Sequence, residues 1–409
     1  MTASLDNRKL YIPQMSLEGA ACMAAAFRSI GVDAQPAPEP TAATFQLAKK
    51  YLSGDECLPE AVTLGSLLEI TTWPGYNPAQ TAVMMPTSNG PCRFGHYLPL
   101  LRKVFRQRGE PEMLLFSPSS TNGYKDIGDH AQALVRTGWR AMVAADILRK
   151  LLLSIRPDEV RPGEADGVFH RSLQLLCQTI AEPNLSHRQR LQAMVHALEA
   201  IRDEFRAIPQ KRDPSRLLIG IVGEIFCRLD EFSNDRVVRT VEKYGGKAWM
   251  SDLSEWIWYT NDEAEKRLMR NGKRCSFSML GEKIKHAVMA ADEHALLRPF
   301  AEDFRHYPEP KHIIEVLERS RPYLPREGAH GEMVCSVGKA IWYHDHGAAG
   351  VIDISPFTCM NGIICEAVYP RVSRDLNGFP IRVFYFDGLK STIENDVEIF
   401  LELARNYQR

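Results

Sequence analysis

The sequence has few of the features that mark membrane, secreted or nucleic-acid-binding proteins. No apolar run reaches the roughly 18 residues that a transmembrane helix needs, and residues 1–8 lack the apolar core of a signal peptide. Lys and Arg number 50 against 51 Asp and Glu, so bulk charge favours neither nucleic acid nor a membrane surface as a partner. We therefore expect a cytoplasmic protein whose nine cysteines stay reduced.

Common catalytic motifs are also absent. The chain has no G-x-x-x-x-G-K-[ST] loop, so ATP hydrolysis through a P-loop is not expected, and it has neither a G-x-G-x-x-G fingerprint nor a G-x-S-x-G motif. Because no C-x-x-C pair occurs, a zinc ribbon or a thioredoxin-type site is disfavoured. His344-Asp345-His346 could bind a metal, although such a triplet beside a glycine turn is more typical of a solvated loop.

The 409 residues suggest two or three domains. Strand and helix patterns alternate at both ends of the chain, which predicts an α/β fold with mainly parallel sheets. The middle, from Asp129 to Ile208, has almost no strand signal and three long amphipathic patterns. The sequence predicts an N-terminal α/β domain over residues 1–128, a helical connecting region over 129–212 and a C-terminal α/β domain over 213–409.

Three cysteines share an unusual local setting. Cys57 in SGDECLPE, Cys92 in SNGPCRFG and Cys359 in SPFTCMNG each lie at the predicted start of a helix. Strand-to-helix junctions of α/β folds gather at the carboxyl edge of the sheet, where ligands bind, and a helix N-terminus stabilises a thiolate. Three dispersed thiolates of this kind suit an iron–sulfur cluster with one non-cysteine position. The alternative is that each is a small core residue, since free Cys is often buried.

The remaining cysteines give weaker signals. Cys22 and Cys177 lie in apolar helical patterns and are predicted to be core residues, and Cys275 is unassigned. Core packing is also the default for three others: Cys227, which ends a predicted buried strand; Cys335, in a strand-like run; and Cys365, in the helix after Cys359.

Several long segments, in order, resemble the C-terminal region of the large activase-related proteins of the 2-hydroxyacyl-CoA dehydratase superfamily. The segments are KLYIPQMS, KKYLSGDECLPEAVTLGSLLE, MMPTSNGPCRFGHYLPL, GIVGEIFCRLDEFSND, SDLSEWIWYTN, GKAIWYHDHGAAGVIDISPFTCMNGIICEA and VFYFDG. The resemblance covers most of the chain and is loosest in the helical middle.

The resemblance implies two flavodoxin-like domains that hold an iron–sulfur cluster between them through three cysteines, which match Cys57, Cys92 and Cys359 here. It also implies a partner, an ATP-hydrolysing activase that carries its own [4Fe–4S] cluster and delivers low-potential electrons. Better-known members dehydrate 2-hydroxyacyl-CoA or reduce benzoyl-CoA, and a relative holds a double-cubane [8Fe–9S] cluster and reduces small molecules. Relatives pair into dimers, so a homodimer or a paralogous subunit is a further candidate partner.

The sequence also departs from the family pattern. It carries no activase domain, so the ATPase is expected on a separate chain. His96 and Asn361 stand where the family pattern leads us to expect Gln and Pro. Cys227 and Cys365 stand where aliphatic residues are expected. These two cysteines leave open how many iron atoms the cluster holds. Together with Cys335 they are further candidate ligands.

The favoured function is that of a low-potential iron–sulfur reductase or acyl-CoA dehydratase-type component, with an acyl-CoA or another small molecule as substrate. Glu224 and Lys339 are weak candidates for catalytic groups that face the cleft, and His96 is a candidate donor near the cluster. The basic face of Arg93, Arg102 and Lys103 is the candidate contact with the activase. Two alternatives remain: an electron carrier or cluster scaffold without substrate turnover, and a cluster-free structural relative.

Overall fold

The first α/β unit is a four-stranded parallel sheet with helices between its strands. The computed structural model describes residues 5–87, 92–118, 130–325, 331–389 and 393–408. The sheet has the order β2-β1-β3-β4. Its strands are β1 (Lys9–Ile12), β2 (Ala34–Pro36), β3 (Thr81–Met84) and β4 (Leu114–Phe116), and its helices are α1 (Leu17–Arg28), α2 (Ala42–Lys49), α3 (Leu58–Ile70) and α4 (Phe94–Gln107).

Three long helices follow, as the amphipathic patterns predict. They are α5 (Ala131–Ile155), α6 (Glu164–Ala181) and α7 (His187–Arg206). Ser186 and Gln189 form a capping box at the start of α7, which fixes where that helix begins. Within residues 130–208 the structure contains no strand, and a single bridge joins Glu159 to Gln210. The predicted boundary at residues 128 and 129 lies outside the described part of the chain.

The second α/β unit repeats the topology of the first. Its sheet has the order β6-β5-β7-β8, and all of its strand pairs are parallel. The strands are β5 (Leu217–Gly223), β6 (Gly246–Met250), β7 (Gly350–Pro356) and β8 (Ile381–Phe386). The helices are α8 (Ile225–Leu229), α9 (Val237–Lys243), α10 (Leu253–Arg270), α11 (Phe277–Leu297), α12 (Ile313–Ser320), α13 (Met333–Asp345), α14 (Met360–Asp375) and α15 (Ile393–Gln408).

Both strand orders correspond to the first four strands of a flavodoxin-like sheet, so the predicted fold class is confirmed. The central strands β5 and β7 are buried almost along their whole length because helices cover both faces of a parallel sheet. In each sheet the strand order reverses between the first and third strands, and ligands of such folds bind in the crevice beyond that point. The residues expected to line that crevice are those that follow β1 and β3 in the first unit and those that follow β5 and β7 in the second.

The two units share one hydrophobic cluster. Phe45 and Leu58, from the first unit, pack in it with Phe226 and Phe386, from the second. Gly388, just beyond β8, approaches so closely that a Cβ there would lie 2.7 Å from the ring of Phe45 and 2.9 Å from Leu58. The start of α3 is therefore held against the carboxyl edge of the second sheet.

Two local predictions are wrong. Cys335 lies in α13 and not in a strand, because its apolar neighbours pack on several sides of a buried helix and leave no clear helical period. Cys227 lies in the short helix α8 because β5 already ends at Gly223. Within the described residues, no helix is both long enough and apolar enough to cross a membrane.

Candidate functional site

Cys57 lies at the N-cap of α3, where the chain of the first unit meets the second. Its Sγ is 3.1 Å from the hydroxyl of Tyr97, a buried side chain of α4. Burial raises the pKa of the Cys57 thiol to about 12, against smaller lowering effects from Tyr97 and the backbone N–H of Glu60. The thiol is therefore protonated at neutral pH unless a cation binds the sulfur.

Cys92 follows β3 and precedes α4, and it is exposed. Its Sγ accepts a hydrogen bond from the backbone N–H of Phe94, at 3.4 Å. Partial desolvation raises the pKa of this thiol, and the Phe94 N–H lowers it. Residues 88–91, which precede Cys92, lie outside the described part of the chain.

A side-chain pair joins the helices that carry Cys57 and Cys92. His96 Nδ1, on α4, is 2.7 Å from Glu60 Oε1, on α3. The Glu60 side chain is 2 % exposed, so burial raises its pKa, and His96 acts in the opposite direction. His96 thus contacts a carboxylate beside the two cysteines, and the sequence-based proposal that it also donates to a cluster stays a prediction.

Cys359 is the N-cap of α14, directly beyond β7. The residue before it, Thr358, has φ of +67°, a conformation that a β-branched residue rarely adopts. Burial raises the pKa of the Cys359 thiol to about 11, and the backbone N–H groups of Gly362 and Asn361 lower it. Gly362 lies against β7, since a Cβ there would be 2.1 Å from Ser355 Oγ. The tight turn fixes the position of Cys359.

One buried carboxylate links the three cysteines. Glu224 follows β5 and acts as the N-cap of α8, where its Oε atoms accept the backbone N–H groups of Phe226 and Cys227 at 3.1 and 2.8 Å. Its charge raises the pKa of Cys57, Cys92 and Cys359 alike. All three thiols therefore lie within electrostatic reach of Glu224.

Glu332 is a second buried carboxylate at the same place. Its Oε1 accepts the backbone N–H of Ile225 at 3.2 Å, and its charge acts on both Cys92 and Cys359. Burial, followed by the charge of Glu224, raises the pKa of Glu332 well above its usual range. Burial also raises the pKa of Glu224. Two carboxyl groups in one apolar setting do not both ionise readily, so each favours the protonated form of the other, while the charge of Arg228 acts in the opposite direction.

Two buried polar atoms near the cysteines have no hydrogen-bond partner in the part of the chain that the structure describes. Glu60 Oε2 and Asn361 Oδ1 are buried and have no hydrogen-bond partner among the described residues. Glu60 acts electrostatically on Cys57 and Cys92, and Asn361 lies two residues beyond Cys359. Buried polar atoms without partners indicate a bound group or water that completes the site. The thiols and their backbone N–H donors fit an iron–sulfur group, whose thiolate sulfurs accept hydrogen bonds. The two unpaired oxygens are acceptors and instead fit a donor such as water.

A cavity with room for about one water molecule lies behind Glu332. Arg228, Glu255 and Cys335 also line it. Within the described ranges, no group of three or more His, Cys, Asp and Glu side chains is set to hold a metal ion, and this includes Cys57, Cys92 and Cys359 as they stand. His344 contacts Asp345 and Tyr407, and His346 stacks on Trp342, so the triplet at the end of α13 packs against its neighbours.

The three further candidate ligands are buried. Cys227 is 0 % exposed and lies within electrostatic reach of Cys57 and Cys359. Cys365 is 1 % exposed and contacts the carbonyl of Met333. Burial raises the pKa of Cys227, Cys335 and Cys365 well above the usual range, so all three are poor nucleophiles as they stand.

Lys339 belongs to a buried ion network. Its side chain has zero exposure, and its Nζ pairs with Glu309 and, at 2.7 Å, with Glu255. Lys150 joins the network through Glu309 at 2.8 Å and Asp252 at 2.7 Å. Burial acts to lower the pKa of Lys339, but these carboxylates raise it above the ordinary value. We assign Lys339 to this network and not to the cleft, which corrects the sequence-based expectation.

The basic face on α4 is only partly available for binding. Arg102 and Lys103 are exposed, whereas Arg93 donates to the backbone carbonyl of Asp55. Arg93 therefore holds the loop before Cys57, and its assignment to a partner contact stays a prediction.

No protein-family model matches the chain, and no curated protein matches it. Sequence reasoning overlooked Glu60, Glu332 and Thr358. Glu60 could have been found, because it lies one helical turn after Cys57 in the segment CLPE. Glu332 and Thr358 had no such signal, since the burial of one and the backbone strain of the other depend on the tertiary fold.

Proposed function

We propose that this chain is an iron–sulfur protein of the 2-hydroxyacyl-CoA dehydratase and activase-related superfamily. It accepts low-potential electrons from a separate ATP-hydrolysing activase and uses them for reductive or radical chemistry. The observation that carries the proposal is the common electrostatic reach of Glu224 to Cys57, Cys92 and Cys359, which come from two different sheets.

The local chemistry supports cysteine ligation. All three thiols lie where backbone N–H groups at the start of a helix lower their pKa, the arrangement that favours thiolates. Burial counteracts this effect, so a metal is needed to displace the protons. A bound cluster would supply one-electron reduction and an iron atom open to substrate.

The other residues of the site control protons and water. Burial favours the protonated forms of Glu224 and Glu332 near the thiols, which makes the two carboxyl groups candidate proton donors to a reduced substrate. His96 and Glu60 fix the spacing of α3 and α4, and with it the relative position of Cys57 and Cys92. Tyr97 covers Cys57 and limits the access of water.

Iron and sulfide analysis after anaerobic purification tests the cluster. The proposal predicts a brown protein with about four irons per chain for a single cubane, or about eight for the double cubane. A colourless protein without iron under these conditions would overturn the proposal in favour of a cluster-free relative.

Reduction by the activase tests the electron input. The isolated protein is mixed anaerobically with the purified cognate activase, with and without ATP, and its visible spectrum is recorded. Reduction is expected only with ATP, and equal reduction in both samples contradicts ATP gating. ATP turnover that rises with an added acyl-CoA supports an enzyme, whereas turnover that ignores every substrate supports a pure electron carrier.

A further inference from the structure

The hairpin of α10 and α11 ends in a surface that the proposed site does not use. Residues 266–285, which we call the hairpin tip, contain seven Lys and Arg and one Glu. Three of these cations are paired with carboxylates: Lys266 with Asp262 and Glu263, Arg270 with Glu263, and Lys285 with Glu282. The other four are exposed and form no ion pair with any described residue: Arg267, Lys273, Arg274 and Lys283. In a chain whose total charge is near zero, the hairpin tip is a local concentration of positive charge.

An apolar stripe crosses the same tip. Phe277, Leu280 and Ile284 are 93 %, 54 % and 57 % exposed, and their spacing puts them on one face of α11. Phe277 is the most exposed large apolar side chain in the described part of the molecule. Single exposed hydrophobic residues are common, but an apolar stripe bordered by cations marks an interaction surface.

The base of the hairpin is firmly anchored, so the tip is presented in a fixed position. Arg136 and Arg140, on α5, bind both oxygens of Asp292 at 2.8–3.0 Å. The indole N–H of Trp258 donates to the carboxylate of Glu293 at 2.9 Å. The ring centroids of Trp258 and Trp139 are 5.3 Å apart. The exposed apolar side chains therefore belong to a helix, α11, whose other end is anchored to α5.

The hairpin also contacts the cysteine region. The hydroxyl of Tyr259, on α10, accepts the backbone N–H of Gly331 at 2.9 Å. A Cβ on Gly331 would lie 2.7 Å from Asn361 Oδ1, two residues beyond Cys359. Arg270 ends α10 eleven residues after Tyr259, a distance of about 16 Å along a helix. The end of α10 in the hairpin tip therefore lies about 16 Å from the residue of α10 that contacts the cysteine region, a span that a protein partner bound at the tip can bridge.

We propose that the hairpin tip docks an acidic, partly apolar face of the separate electron-donating protein, an inference that rests on the function proposed above. The charge of the tip selects an acidic partner, and the Phe277 stripe supplies the apolar centre of the contact. A second copy of this chain fits less well, because a two-fold contact between tips would place cations against cations.

The binding experiment uses the full-length, cluster-loaded protein and the purified cognate activase. Two variants carry the test, K273E/R274E and F277S, and a matched control, K211E/R212E, reverses two exposed cations elsewhere. We expect activase binding to weaken at least tenfold in both test variants and to fall with added salt, with the control unchanged. Iron content and circular dichroism should be unchanged, since the replaced side chains are exposed.

The variant R102E/K103E separates this surface from the basic face of α4. Loss of binding in R102E/K103E with full binding in K273E/R274E would overturn the hairpin proposal. Sedimentation of the wild type with vesicles containing phosphatidylserine, abolished by F277S while activase binding persists, would also overturn it in favour of a membrane contact.

Electron transfer separates the two proposals. If the activase reduces the wild type with ATP and reduces the hairpin variants equally well, docking at the tip is wrong and the proposed function stands. If the wild type itself takes no electrons from the activase, the proposed function fails, and this inference with it.

Discussion

The two α/β units share one topology but contribute different groups to the site. In each, the third strand in chain order leads to a cysteine: β3 to Cys92 and β7 to Cys359. The first unit adds a second thiol, Cys57, and the second adds the buried carboxyl groups of Glu224 and Glu332. The first unit thus supplies two of the three candidate ligands, and the second supplies one candidate ligand and the pair of buried carboxyl groups.

The two units also differ in the length and burial of their strands. The strands of the first sheet have three or four residues, whereas β5 and β7 have seven each and are buried almost throughout. Buried charges are stable only where packing and partners hold them in place. Here the backbone N–H groups of α8 are those partners, so repeated topology fixes where a site can form but not what chemistry each half brings.

The largest expected effect is on the buried network of the second unit. Lys339→Met removes the cation that pairs with the buried carboxylate of Glu255. We therefore expect a loss of about 3–5 kcal/mol in the free energy of unfolding. Urea denaturation measures it. Lys50→Met, at an exposed position of the first unit, is the control and should change stability by less than about 0.5 kcal/mol. Equal small effects for both variants would contradict the structural role of Lys339.

The stability of the second unit should depend on pH through the carboxyl group of Asp230. Burial raises the pKa of Asp230 to about 7, and the backbone N–H and hydroxyl of Ser233 lower it. Between the unfolded pKa, about 3.9, and about 7, the folded carboxyl keeps a proton that the unfolded chain releases. The contribution of Asp230 to stability therefore falls as pH rises through this window.

The comparison of wild type with Asp230→Asn checks this sign. Urea midpoints at pH 5 and pH 7.5 should differ less in the variant, because Asn keeps the acceptor for Ser233 but does not titrate. A variant with the same pH slope as the wild type would show that Asp230 ionises normally in the fold.

A smaller effect is expected at the turn before Cys359. Glycine adopts positive φ without strain, so Thr358→Gly should stabilise the metal-free protein by about 1 kcal/mol. Thermal denaturation followed by circular dichroism measures the change. A destabilised variant would mean that contacts of the Thr358 side chain outweigh the backbone strain.

Sequence reasoning predicted the alternation of strands and helices because apolar periodicity is local information. It also selected Cys57, Cys92 and Cys359, since helix starts beyond strands can be recognised from pattern alone. It could not pair Lys339 with Glu309, because the two belong to an ion network that only the tertiary fold assembles. For the same reason it missed Glu332, which lies among apolar residues at the start of α13 and is paired electrostatically with Glu224.

Iron content of the two matched cysteine variants tests the central claim most directly. Cys92→Ala and Cys359→Ala, which occupy equivalent places in the two units, are purified anaerobically beside Cys177→Ala, which replaces a cysteine inside α6. Both should lose more than about half of the wild-type iron per folded chain, because a cluster with three cysteine ligands is weakened by the loss of any one. Cys177→Ala should retain its iron. Full iron in either Cys92→Ala or Cys359→Ala would show that the two units do not share a cluster.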